Sequence, residues 1–286
     1  MISVIIPAYN EESTIGKVVK GIISIYPDFE IIVINDGSSD GTAEVAETAG
    51  AMVFSHPYNM GNGAAVKNGI RLAKGETLVL MDGDGQHDPG DIARLLKYLP
   101  EYDMVVGNRN LDGHTSFLRA AGNKVYNWFA SYVAKFKIKD LTSGFRIVKA
   151  EIARPLLYLL PNTYSYPTTM TLSILRNGRS LKYVSISVKS RKSGKSGIGI
   201  FKDGARFFII IVKICTLYSP FRVFLPVSFF LFSMGAIYYL YTFLLWQRFT
   251  NMSALLLTTS IIVFMMGLVS EQICQMHNKD SEKFDG

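Results

Sequence analysis

Two long runs without a formal charge, residues 223–246 and 253–270, restrict what the C-terminal end of this 286-residue chain can become. A helix over 24 and 18 residues is roughly 36 and 27 Å long at about 1.5 Å per residue, against a hydrocarbon core of ~30 Å. Buried helices of a soluble core usually keep a polar face, and these runs have none. Both are therefore expected to cross a membrane as helices.

The net charge of +7 is unevenly placed. Between Arg176 and Arg222 stand eleven basic residues and a single acid, Asp203. A basic belt just before the first apolar run fits anionic head groups or phosphate ligands and not nucleic acid. Under the positive-inside rule it puts the long N-terminal part and the tail with Lys279 and Lys283 in the cytoplasm, leaving a short loop around Arg248 outside. In residues 201–218, Lys202, Arg206 and Lys213 fall near one face of an otherwise apolar helix, the pattern of a helix lying in the membrane interface. Met1 leads straight into Ile2–Ile6 without a basic leader, so no secretory signal is expected. Cys215 and Cys274 have no metal-ligand spacing. The expected organisation is a cytoplasmic α/β domain over 1–199, an interfacial helix over 200–219 and a two-helix transmembrane hairpin with a short cytoplasmic tail over 220–286, in the cytoplasmic membrane.

The N-terminal part alternates β-branched runs with helical patterns, the signature of a doubly wound parallel sheet. Strands are expected at 3–7, 30–35, 52–55, 77–81 and 103–107, and helices at 14–25, 42–49, 64–73 and 89–99, with Asp88 as cap and Pro89 as first residue of the last. Further on, helices are expected at 115–135, 149–159 and 167–176, and a strand at 180–188.

The strand at 77–81 ends in Asp82-Gly83-Asp84-Gly85-Gln86. Carboxylates at i and i+2 of extended chain turn to one side, and open α/β sheets bind ligands where strands end. Two hard oxygen ligands with Gln86 suit Mg²⁺ or Mn²⁺ bridging to substrate phosphates, hence a nucleotide diphosphate. By itself the same stretch also reads as a polar turn. Three more strand-end pieces join it: Pro7-Ala8-Tyr9-Asn10-Glu11-Glu12, Asn35-Asp36-Gly37-Ser38-Ser39-Asp40-Gly41-Thr42, and Asn59-Met60-Gly61-Asn62-Gly63. Carboxyl ends of parallel strands converge on one crevice, so the four are expected to wall one nucleotide site. His56, His87, His114 and His277 show no partner pattern and are read as structural or solvated. Arg146 reads equally as a helix-facing ion pair or a ligand.

With Val4–Glu11, Val33–Thr42 and Met81–His87, followed by Gly107-Asn108-Arg109, Ser143-Gly144-Phe145-Arg146, the basic loop Arg191–Ser196 and the terminal apolar pair, the chain resembles family-2 inverting glycosyltransferases of GT-A fold. More narrowly, it is similar to their polyprenyl-phosphate branch. The resemblance implies that Pro7, Tyr9, Glu11 and Asp36 hold the base and ribose of a nucleotide-sugar donor, that Asp82, Asp84 and Gln86 hold the metal, and that Arg191 and Lys195 close over the donor phosphates. Arg109, Arg119 and Asn123 match positions facing the acceptor phosphate; with Asp84 they form the implied catalytic set. Gly197 stands where the loop often has a lysine, leaving Lys195 or Lys202 for that place. A homo-oligomer is also part of what the resemblance implies. Two rival readings stay open, a transferase acting on a glycan hydroxyl, for which Asp140 is the nearby carboxylate, and a nucleotide-sugar-binding scaffold without activity.

Overall fold

The computed structural model describes residues 1–109, 127–128, 130–132, 134–163, 165–186 and 220–282. Its contacts divide the chain into two units, Met1–Ile200 and Phe201–Gly286.

The first unit is built on one seven-stranded sheet: β1 (Ile2–Ala8), β2 (Glu30–Asn35), β3 (Met52–Ser55), β4 (Thr77–Leu80), β5 (Met104–Arg109), β6 (Arg146–Lys149) and β7 (Leu181–Ile186), in the order β3-β2-β1-β4-β6-β5-β7. The five strands expected from the β-branched runs are all present. Successive residues of β1 serve opposite layers: Val4, Ile6 and Ala8 pack with one cluster and Ile5 with the other. Burial on both faces explains why these strands read as unbroken apolar runs. Helix α1 (Glu12–Ile25) lays Ile15, Val18, Val19 and Ile22 on the first layer beside α2 (Thr42–Thr48). The second layer holds α3 (Asn62–Leu72) and Met170 and Ile174 of the later helix Tyr166–Arg176.

Three expectations are corrected. The sheet is mixed: β6 lies antiparallel between β4 and β5, while the other pairs are parallel. Residues 149–159 do not form one helix, because Lys149 ends β6 and only the single turn α5 (Ala150–Ala153) is helical after it. The helix expected from Pro89 is α4 (Asp91–Leu96), two residues later. Asp88 closes a turn instead, its Oδ1 accepting from Gly90 N at 3.0 Å and its carbonyl from Asp91 N. The Tyr166–Arg176 helix, α6, carries Pro at its start as expected. Of the 115–135 segment, residues 127–128, 130–132 and 134 are helical; 110–126 lie outside the described residues, as do the strand end at 187–188 and the interfacial helix expected at 200–219.

Glycines 61 and 63 open α3 by letting another chain segment approach. The backbone of 161–163 lies against them, and Ala64 N donates to Asn162 O at 3.2 Å. A Cβ at position 63 would stand 2.7 Å from the Thr163 carbonyl oxygen and nearer still to that of Pro161. Both obstacles are backbone, so neither can swing away. Gly63→Ala is expected to destabilise the protein by roughly 2–3 kcal/mol, seen as a lower thermal midpoint of the purified chain. An unchanged midpoint would show that this packing is dispensable.

The second unit is a hairpin of α7 (Pro220–Trp246) and α8 (Asn251–Glu282). Over 27 and 24 residues the two helices are long and apolar enough to span a bilayer. Their small and hydroxyl residues face each other: Ser228 Oγ donates to Ser260 O at 2.9 Å, and Gly235 packs on Leu256 and Leu257. Phe229, Phe230, Ile237, Leu244, Ile261 and Met265 point outward, which suits a lipid solvent.

Candidate active site

Hydrogen bonds physically join the four strand-end pieces. Asn10, held in the left-handed region (φ 54°), donates its N–H to Ser38 Oγ and accepts from Ser39 N at 2.9 Å. Glu11 N donates to Thr42 Oγ1 at 2.8 Å, and Gly41 N donates to Glu12 Oε2. These latch the turn after β1 to the turn after β2. Thr14 Oγ1 lies 3.0 Å from both Gly83 O and Glu11 Oε2, tying the first turn to the Asp-Gly-Asp turn. The third piece is held by Asp36. Its Oδ1 accepts from Met60 N and its Oδ2 from Gly61 N, each at 2.8 Å.

Asp36 is buried, and its Oδ1 also takes His56 Nδ1 at 2.7 Å. His56 Nε2 is 2.7 Å from Asn68 Nδ2, so a neutral ring with its proton on Nδ1 satisfies both neighbours. His56 is thus a structural histidine with partners 20 and 12 residues away, too far in sequence to form a spacing pattern. Tyr9 is exposed and Glu11 half-buried, whereas the Pro7 ring is buried within β1. Glu11 Oε2 is engaged by Thr14 Oγ1, and Asp36 fixes the 56–61 segment through His56, Met60 and Gly61.

Asp82, Asp84 and Gln86 are all half-buried, and Asp84 Oδ1 accepts from Gln86 N at 3.1 Å, which curls the turn. The Asp82 side chain is 32% exposed and lies 3.7 Å from Nε2 of buried His87, whose ring packs on Phe145. On its other side is the backbone of Gly144. A Cβ there would fall 2.9 Å from Asp82 Oδ1 and closer to Oδ2, so only glycine leaves this carboxylate its place. The residues fit a divalent cation of hard character. Among the described residues no group of three His, Cys, Asp or Glu that could hold a metal ion occurs; ions held by one or two carboxylates complete their shell with water and phosphate.

Beneath this turn lies a residue whose role the sequence left open. Arg146 sits on β6 opposite Leu80, fully buried, and is not part of a helix-borne ion pair. Its Nη1 donates to Pro167 O at 2.9 Å and to Thr171 Oγ1 at 3.3 Å, and its Nη2 donates to Ser143 O. Those partners are neutral oxygens. Burial pulls its pKa below the ordinary guanidinium value, with Tyr166, Tyr183, Asp140 and Asp82 acting in the opposite direction. Burial raises the Tyr166 phenol, and the charge of Asp82 adds to this. The Asp82 carboxylate thus contributes to the field at the buried Arg146. Ser143 Oγ donates to Gly107 O at 2.6 Å and Gly107 N donates to Phe145 O at 2.9 Å, so the 143–145 turn that carries Gly144 is pinned at both ends.

Arg109 belongs to β5 opposite Ile186; its side chain, together with Arg119, Asn123, Arg191 and Lys195, lies outside the described residues.

Residues 3–157, more than half of the chain, match the Glycosyl transferase family 2 domain. The chain belongs to glycosyl transferase family 2. Residues 219–276 of this family 2 glycosyltransferase match the GtrB C-terminal hairpin. Glycosyltransferase AglJ of Haloferax volcanii is 26% identical over 300 residues, covering 99% of this chain and 97% of AglJ. The undecaprenyl-phosphate mannosyltransferase of Micrococcus luteus is 29% identical over 206 residues, covering 67% and 85%. Among solved structures, glucosyl-3-phosphoglycerate synthase of Mycobacterium tuberculosis, in complex with Mn²⁺, uridine-diphosphate-glucose and phosphoglyceric acid, superposes with a TM-score of 0.61 at 20% identity over 75% of this chain and 79% of that one. That likeness establishes the GT-A fold with its mixed sheet.

Proposed function

We propose that this glycosyltransferase moves one sugar, with inversion, from a nucleotide-diphosphate sugar to a polyprenyl phosphate at the cytoplasmic face of the membrane. The observation that carries this reading is the convergence of four latched strand-end turns on the half-buried Asp82 and Asp84, in a chain that ends in two apolar helices. UDP is the favoured nucleotide and GDP-mannose the alternative donor; undecaprenyl and dolichyl phosphate are the candidate acceptors. The names of the relatives from Micrococcus luteus and Mycolicibacterium smegmatis, an undecaprenyl-phosphate mannosyltransferase and a polyprenol monophosphomannose synthase, support the acceptor class.

Asp82, Asp84 and Gln86 would hold Mg²⁺ or Mn²⁺. When bound, such an ion stabilises the negative charge that develops on the departing diphosphate. The chain's own part is positioning. Gly144 leaves the Asp82 carboxylate room and the Gln86 N–H fixes Asp84, and Pro7, Tyr9, Glu11 and Asp36 would hold the base and ribose. Arg191 and Lys195 would close over the diphosphate, and Arg109, Arg119 and Asn123 would receive the acceptor phosphate. A phosphate monoester is already ionised near neutral pH and needs no general base. Asp140, the carboxylate a hydroxyl acceptor would call on, is buried, and its Oδ1 accepts from Thr142 N and Thr142 Oγ1, each at 3.0 Å. That arrangement favours an acceptor that arrives ionised.

Purified protein is incubated with radiolabelled UDP- and GDP-sugars, undecaprenyl or dolichyl phosphate, and Mg²⁺ or Mn²⁺ with an EDTA control. Label in an organic-extractable, mild-acid-labile product that EDTA abolishes is the expected result. Label passing only to a glycan acceptor would overturn it and make Asp140 the first base to test.

A further inference from the structure

Arg146, fully buried, is a costly residue to fold around, and the transfer reaction makes no direct use of it. Burying a charge is unfavourable unless it is paired and hydrogen-bonded, and an apolar residue of similar size is often as stable in such a place. Because β6 runs antiparallel to β4, its first residue lies beside Leu80, the last of β4, two positions before Asp82. From there the guanidinium reaches two other segments. Nη1 donates to Pro167 O and Thr171 Oγ1 in the first two turns of α6, and Nη2 donates to Ser143 O. Ser143 O shares one peptide plane with the N and Cα of Gly144, the residue whose backbone lies against the Asp82 carboxylate. The other ties of this turn hold its flanks, Ser143 Oγ on Gly107 O and Phe145 O on Gly107 N. The bond from Arg146 sets the tilt of the peptide between them. The segment that leads into α6, 161–163, lies in turn against Gly61 and Gly63 of the third strand-end piece.

We propose that Arg146 is a positioning residue for the transfer reaction, bracing the Ser143–Gly144 peptide against α6 so that the Asp82 carboxylate keeps the place from which it holds a divalent cation. It acts through Gly144 and Asp82 and not on the substrates. The inference rests on the reading of Asp82 as a metal ligand. Two features point to a brace rather than to packing alone. The guanidinium is planar and carries its donors in a fixed fork, so the three oxygens it binds are held at set distances from one another, which the point charge of a lysine does not do. Its Nε, fully buried, has no hydrogen-bond partner among the described residues. The side chain is thus oriented to serve the oxygens of α6 and of the turn, with its own fifth donor left over.

The test uses the full chain, with Mn²⁺ affinity read from the electron paramagnetic resonance signal of the free ion, below the thermal midpoint of every variant, and kcat from initial rates. Arg146→Lys keeps the charge and loses the fork. Groups that orient a metal ligand typically carry about 10–100-fold in metal affinity or rate, so this variant is expected to bind Mn²⁺ about tenfold more weakly and to lose about 10–100-fold in kcat. Thr171→Val keeps the side-chain shape, removes one of the three oxygens and is the milder change; it is expected to stay folded and to weaken Mn²⁺ binding severalfold. Ile22→Ala supplies the contrast: it opens a cavity in the last turn of α1, ten residues along that helix from the crevice, and is expected to lower the thermal midpoint while leaving Mn²⁺ affinity unchanged. Parental Mn²⁺ affinity in Arg146→Lys or in Thr171→Val overturns the proposal, because charge or packing would then be the whole of the arginine's role. Asp82→Asn is measured alongside. If it binds Mn²⁺ as the parent does, the metal reading fails and the brace with it; if it loses Mn²⁺ while the other two keep parental affinity, the brace alone has failed.

Discussion

Asp82→Asn is expected to lower sugar transfer by about 10³-fold, a loss of roughly 4 kcal/mol in transition-state stabilisation, while the protein stays folded. Asparagine keeps the shape of the side chain and so respects the tight fit against Gly144. What it removes is charge. Asp82 is partly exposed and 3.7 Å from His87 Nε2, a distance too long for a hydrogen bond that the fold would depend on. Loss of its field at the buried Arg146 and Tyr166 changes stability, but the guanidinium keeps its bonds to Pro167 O, Thr171 Oγ1 and Ser143 O. Stability therefore changes little and cation binding changes greatly. Initial rates across a Mn²⁺ titration, set beside thermal melts, separate the two effects. A variant that regains more than a tenth of the parental rate at saturating Mn²⁺ would remove Asp82 from the metal site.

The strands that make this crevice were legible because burial on both faces leaves unbroken apolar runs, as in Val4–Ile6, Ile31–Ile34 and Leu78–Met81. Their ends were legible because the chain must turn there and does so with Gly, Asn and Asp. Strand β6 was not. Arg146-Ile147-Val148-Lys149 is four residues long with a cation at each end, and nothing in its composition says that the first cation is buried and the last partly exposed. Its antiparallel direction follows from pairing with β4 and β5, a long-range fact without local signature. The partners of the histidines were not legible for the same reason: His56 finds Asp36, and His87 comes to lie near Asp82, only once the sheet has formed. The position of Asp36 at the end of β2 was evident, whereas its bonds to the Met60 and Gly61 N–H groups, which belong to the neighbouring turn, were not.

Gly144→Ala tests the positioning rather than the charge of the same carboxylate. The added Cβ would crowd Asp82 Oδ1 and Oδ2, and of the two sides of that clash one is much easier to move. The 143–145 turn is pinned by Arg146 Nη2 on Ser143 O and by Ser143 Oγ on Gly107 O. The Asp82 carboxylate is the tip of a side chain that is 32% exposed. Displacement of the carboxylate is therefore the cheaper relaxation, at a cost to stability of about 1 kcal/mol or less from the off-rotamer side chain. A metal ligand moved by an ångström is nonetheless poorly placed, and misplacement of that size carries about a 10²-fold loss of rate. The expected outcome is a melting temperature close to the parent, a drop in transfer of about a hundredfold, and weaker Mn²⁺ binding measured directly by electron paramagnetic resonance of the free ion. Equal loss of stability and activity would mean that the turn yields instead of Asp82, and unchanged Mn²⁺ affinity would mean that Gly144 does not set the carboxylate's place.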